Sequence, residues 1–218
     1  MYKPASVGVQ SPIPNWEYLQ MITYVLRFLT ACAIATPIYL ILRRPRRRGR
    51  EEAAREWCLG FFVVFMTGLL YMTFRGTYAQ PGQMLASALD RIRTGRDIAL
   101  VPFRNLKRMY LYDDREHFIM NILGNTLMFV PWGFFRPLLW KKQQHFGRML
   151  SGAVLLTVFI EFVQLFICRT VDIDDIILNT LGSLAGSLLY VVAAWLIPGL
   201  RRLSRGTDTG IAQSQQRD

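Results

Sequence analysis

Residues 57–74 read WCLGFFVVFMTGLLYMTF, eighteen consecutive positions without a charge. A hydrocarbon core about 30 Å thick takes roughly 20 helical residues to cross, so this run is long enough to span one. Two later runs repeat the pattern. Residues 149–168 (MLSGAVLLTVFIEFVQLFIC) carry one charge, Glu161, and residues 176–196 carry none. A soluble helix ordinarily keeps a polar face, and none of these runs has one. The chain has 218 residues, 52% of them hydrophobic. That fraction alone also suits many soluble domains, so the distribution decides the class.

Working outward, the chain reads as an all-α, polytopic transmembrane helix bundle of five spans. These cover about 18–42, 57–74, 118–139, 149–168 and 174–197, all within a transmembrane domain over 18–200. Residues 1–17 form an irregular, proline-containing N-terminal segment on the extracytoplasmic side. Residues 201–218, rich in Ser, Gln, Gly and Arg, have the composition of a disordered cytoplasmic tail. Arg27 and Pro37 interrupt the first span, and Pro131 lies inside the third. Residues 43–56 read as a short polar loop and 75–117 as a long polar segment. Within the latter, 83–94 suits a short helix. The VPF at 101–103 is expected to be extended, because a residue before proline avoids the helical region.

The formal net charge is +11, with 26 Lys and Arg against 15 Asp and Glu. The basic residues cluster beside apolar runs, which fits lipid head groups and topology control. A nucleic-acid-binding stripe is missing. Only Lys3 precedes the first apolar run, and RRPRRRGR follows it, the order of a retained span rather than a cleaved signal. Five spans put the termini on opposite sides. The 43–56 loop, the connection before the fourth span and the C-terminal tail share one side with fifteen basic residues; the other side has ten. The dense short loops place the N-terminus outside and the C-terminus on the cytoplasmic side of the membrane. Eight of the ten lie in 75–117, against the trend. Cys32, Cys58 and Cys168 form no CxxC pair and read as small buried hydrophobes.

This topology gives the intramembrane polar residues a common depth. Asn121 and Asn125 are four apart on the third span, and His117 stands at its mouth. Glu161 and Gln164 lie on the fourth span, the RTVDIDD connection follows, and Asp175 and Asn179 are four apart on the fifth. With Asp172 and Asp174 they all fall in the outer half. Polar groups in hydrocarbon are costly and should face one another or a wet cavity, so an outward-opening polar pocket with Glu161 at its floor is expected. Arg27 sits at similar depth, and an Arg27–Glu161 ion pair is an alternative role for both. One aspartate of the cluster can serve as the helix N-cap; one cap does not need three. Gly182, Ser183, Gly186 and Ser187 form a small face suited to close packing within the bundle, with a dimer face as the alternative. No His/Cys set fits zinc, and no nucleophile elbow, P-loop or dinucleotide fingerprint occurs. The carboxylates suit Mg²⁺ or Ca²⁺ as oxygen donors, but acidic clusters are common at helix starts. The expectation is no metal and no cofactor.

Four pieces together resemble the VanZ-like family: VPF at 101–103, N-x-x-x-N-x-x-x-F-V-P-W-G-F at 121–134, I-E-F-V-Q at 160–164, and R-x-V-D-I-D-D-x-x-x-N-T-L-G-x-x-x-G at 169–186. The resemblance covers residues 100–186, about half the chain. The family's usual PLG is Pro131-Trp132-Gly133 here, and Ser183 replaces a second glycine. The resemblance implies an integral membrane protein, and the founding member is associated with low-level resistance to the glycopeptide teicoplanin. The family's recurring polar positions correspond to Asn121, Asn125, Glu161, Gln164, Arg169, Asp172, Asp174, Asp175 and Asn179, nearly the set derived above. The expected function is a non-enzymatic cell-envelope protein whose pocket binds a polar or lipid-linked molecule, such as a cell-wall precursor or glycopeptide, with membrane lipids as its surroundings. The alternative is a membrane-embedded enzyme acting on a lipid-linked sugar or phosphate, with Glu161 and the aspartates as acid and base. A small transporter is disfavoured, since no repeat symmetry is visible. Substrate and oligomeric state are not legible.

Overall fold

The computed structural model describes residues 16–43, 50–74, 81–113 and 115–205. The 1–15 segment, the basic 44–49 stretch, residues 75–80, Asp114 and the tail beyond 205 lie outside them. The chain forms α1 (Trp16–Arg43), α2 (Arg50–Thr73), α3 (Pro81–Thr94), β1 (Ile98–Ala99), α4 (Arg104–Tyr112), α5 (Arg115–Leu139), a 3-10 turn (Lys141–Gln144), α6 (Phe146–Phe166), β2 (Val171–Asp172), α7 (Ile173–Leu196) and α8 (Leu200–Arg205). Five helices are long and apolar enough to cross a membrane. The protein is essentially all-α and a multi-pass membrane protein.

The spans differ from the sequence expectation mainly at their starts. α2 begins at Arg50, so much of the expected 43–56 loop is helical. Its REEAARE start has no Gly or Pro and consists of good helix formers. The short helix expected over 83–94 is α3, extended back to Pro81; proline suits a first helical turn. The 101–103 stretch is a turn rather than extended chain, because Phe103 adopts a left-handed φ of 62°. That residue stands at the start of α4, a helix that periodicity did not suggest.

Large apolar side chains such as Ile41, Leu155, Leu188 and Trp195 are exposed along the spanning helices. Lipid is their solvent, so they need no protein cover. Inside the bundle, Leu69, Phe129 and Ile160 pack where α2, α5 and α6 meet. α1 packs along α2.

α5 and α7 make the most extensive helix pair, and small residues set its closeness. A Cβ placed on Gly182 or Gly186 would lie 1.9 Å from the carbonyl oxygens of Thr126 and Val130, and one on Gly133 would lie 1.8 Å from Ser183 O. The two backbones are in direct contact over two turns. The small face thus packs within the bundle. Ser187 adds a specific bond. Pro137 has no N–H, so Gly133 O loses its usual helical donor, and the Ser187 hydroxyl donates to it at 3.1 Å. The same hydroxyl lies 3.0 Å from Ser183 O.

Replacing Gly186 with Ala forces these backbones apart and is expected to cost about 1–3 kcal/mol or more. Gly124 has open space around its Cβ position, so Gly124→Ala should be tolerated. Unfolding of the two variants in the same detergent checks the contrast.

Candidate functional site

The connection from α6 to α7 is the centre of the polar region. It is six residues of non-helical chain, 167–172, leading into α7, and Cys168 turns it with a left-handed φ of 59°. Protein groups satisfy much of its backbone. Arg169 N–H donates to Gln164 O at 3.0 Å, and Val171 N–H to Asp97 O at 2.9 Å. β2 pairs in parallel with β1, Ile98 opposite Val171 and Ala99 opposite Asp172. Asp172 N–H donates to Glu161 Oε2 at 2.8 Å.

The carbonyl side is closed by Arg91 of α3, which is 5% exposed. Its guanidinium donates to Leu165 O at 2.8 Å, to Asp97 O at 3.3 Å and to Arg169 O. A cation at the carbonyl end of α6 also complements the helix dipole. Arg91 was not among the residues singled out from the sequence.

The aspartates divide the work. Asp172 is the N-cap of α7, its Oδ1 accepting Asp174 N–H at 2.9 Å. Its Oδ2 accepts Asn105 Nδ2 at 2.6 Å. Asp174 reaches the start of α4, where Oδ1 accepts Phe103 N–H at 2.5 Å and Oδ2 accepts Leu106 N–H at 3.1 Å. Both carboxylates are therefore committed at both oxygens. Asp174 places a negative charge at a helix N-terminus, where free amides and the dipole favour it. Asp175 turns to α5, its Oδ1 accepting Asn125 Nδ2 at 2.6 Å.

The remaining polar groups keep unused capacity among the described residues. Glu161 is 3% exposed, and the Asp172 amide is its only hydrogen bond. Gln164 is buried with no side-chain hydrogen bond, and buried Asn179 leaves Oδ1 without a donor. Asn121 is half-buried, one turn before Asn125. Arg169 is exposed and donates to Thr73 O at 3.1 Å, tying the end of α2 to the connection. Arg169, Asp172 and Asp175 all lie within electrostatic range of Glu161. Four carboxylates thus converge with Arg169 as the nearby cation.

Arg27 belongs to α1, which packs on α2. His117 faces Asp113 at 3.6 Å on the exposed start of α5. Among the described residues no group of three or more His, Cys, Asp or Glu side chains is arranged to hold a metal ion. The cluster is also covered: α4 is docked by its first turn on Asp174, and Asn105 on Asp172.

Asp174→Ala removes both acceptors for the α4 start. Hydrogen bonds to a charged group contribute about 1.5–3 kcal/mol each, so α4 should release and trypsin should cleave at Arg104, Lys107 and Arg108. Asp90→Ala, which touches only an exposed Arg96 contact at 3.9 Å, should leave the digestion pattern unchanged.

No curated protein and no solved structure matches the chain. The VanZ/LLP1 family model matches residues 62–195. That stretch holds the glycine contact between α5 and α7, the Arg91 clamp, and every polar residue of the cluster from Asn105 to Asn179. With more than half its length under that match, the chain belongs to the VanZ/LLP1 family.

Proposed function

We propose that this protein is a non-enzymatic component of the bacterial cell envelope. Its covered carboxylate and carboxamide cluster engages a polar or lipid-linked envelope molecule. The observation that carries this reading is that Glu161, Gln164 and Asn179 are nearly buried together, with one hydrogen bond to Glu161 and Asn179 Oδ1 left without a donor. Buried polar groups without partners are costly, and a hydroxyl- or amide-rich ligand would supply the missing bonds. The excess of basic residues in the loops at the opposite end supports an outward position for the cluster in the cytoplasmic membrane, N-terminus outside. Because α4 covers the cluster, the ligand enters as Asn105 exchanges Asp172 for it. Reduced susceptibility to teicoplanin is one consequence of holding such a molecule.

A membrane-embedded enzyme with carboxylates as acid and base is the second reading. The double engagement of Asp172 and Asp174 by N–H donors removes two of its four carboxylates from proton transfer. Glu161 and Asp175 are then the pair it would use.

Glu161→Gln keeps the shape and discards the charge. In a deletion strain, wild-type protein should restore teicoplanin tolerance, and Glu161→Gln at equal membrane abundance should not. If deletion itself leaves susceptibility unchanged, the glycopeptide part of the reading is discarded. Altered lipid or wall-precursor profiles in the Glu161→Gln strain would favour the enzyme instead.

A further inference from the structure

The end of the bundle away from Glu161 holds a cavity of about 320 Å³ that the proposed function does not use. Five elements wall it: the end of α5, the 3-10 turn, the first turn of α6, the last turns of α7, and α8. Its chemistry is divided. One side presents the cations Lys141 and Arg201 with the polar groups of Gln144, Tyr190 and Ser204, and no acidic residue lines it. The other side is Met149, Val191 and Ala194. Val191 is half exposed on the surface of a spanning helix, so the apolar side opens toward lipid.

The polar wall is held in place by the fold. Gln144 Nε2 lies 3.1 Å from Pro137 O, 2.8 Å from the Tyr190 hydroxyl and 3.0 Å from Ser204 Oγ. Ser204 Oγ donates to Arg201 O at 2.8 Å. Tyr190 and Ser204 are 4% and 2% exposed, and the Arg201 charge reaches the Tyr190 hydroxyl. A phenylalanine and an alanine would fill these positions without buried hydroxyls.

We propose that this cavity binds the phosphate of an anionic glycerophospholipid. Lys141 and Arg201 neutralise the phosphate, the hydroxyl side supplies hydrogen bonds, and the acyl chains leave along Val191 and Met149. Basic pockets between spanning helices recognise anionic head groups through this combination of charge and apolar exit.

The test uses the full chain in detergent, titrated by native mass spectrometry with dioleoylphosphatidylglycerol, dioleoylphosphatidylcholine or inorganic phosphate. One phosphatidylglycerol should bind saturably per chain, ahead of phosphatidylcholine. Combining Lys141→Gln with Arg201→Gln should weaken it about thirtyfold, the effect of two basic groups beside an anionic head group. Lys142→Gln with Arg202→Gln removes equal charge at the same end outside the cavity and should leave binding in place. Thermal unfolding confirms that both pairs fold, with phosphatidylglycerol raising the melting temperature of the control pair only. Equal loss in both pairs would reduce the effect to general electrostatics and overturn the site. Binding of inorganic phosphate with the same Lys141 and Arg201 dependence, without phosphatidylglycerol binding, would overturn the lipid assignment. Neither result bears on the Glu161 cluster.

Discussion

A non-helical chain packed among helices must find partners for its peptide groups, and the α6–α7 connection is where this protein meets that constraint. A peptide group buried without a partner costs free energy comparable to a lost hydrogen bond. Glu161 takes the Asp172 amide, Asp97 takes the Val171 amide, and Arg91 gathers the carbonyls of Leu165, Asp97 and Arg169. The donors and acceptors come from α6, α3 and the strand beside it. The connection therefore fixes α3 and α4 against the bundle, and the polar cluster exists only when these are in place.

The second constraint is the backbone contact between α5 and α7. Gly133, Gly182 and Gly186 bring carbonyl oxygens where side chains would otherwise stand. This closeness lets short side chains meet across the pair: Asn125 with Asp175 near one end, Ser187 with Gly133 O farther down. A wider spacing would leave Asn125 and Asp175 to longer partners. The proline at 137 and the serine at 187 belong to the same arrangement, one opening a carbonyl and the other closing it.

Much of this was legible in the sequence. Uncharged runs of about 20 residues mark spans because their length matches the hydrocarbon thickness, and the four-residue spacing of Gly182 and Gly186 marks a packing face. The gathering of Glu161, the aspartates and the asparagines at one end followed from chain direction alone. The parts that stayed hidden depend on tertiary partners. Phe103 takes a left-handed φ beside Asp174, and no local pattern in VPF announces that. Arg91 falls in the short helix expected over 83–94 and Asn105 in the polar segment after it, and neither was singled out as a partner of the cluster. Their signal was indirect: three aspartates at one helix start need more donors than one cap provides. At the opposite end, Gln144 was lost in a basic loop, and its three contacts join residues up to 60 positions apart.

The cluster has two layers. Asp172 and Asp174 are spent on holding the connection and α4, whereas Glu161, Gln164 and Asn179 retain capacity beneath them. Both layers require that the connection be locked by side chains rather than loosely solvated. Hydrogen exchange of the wild-type protein in lipid nanodiscs tests this most directly, at the amides of Val171, Asp172 and Asp174. The structure predicts protection close to that of α7. Exchange at the rate of an open loop would contradict the clamp and with it the candidate site.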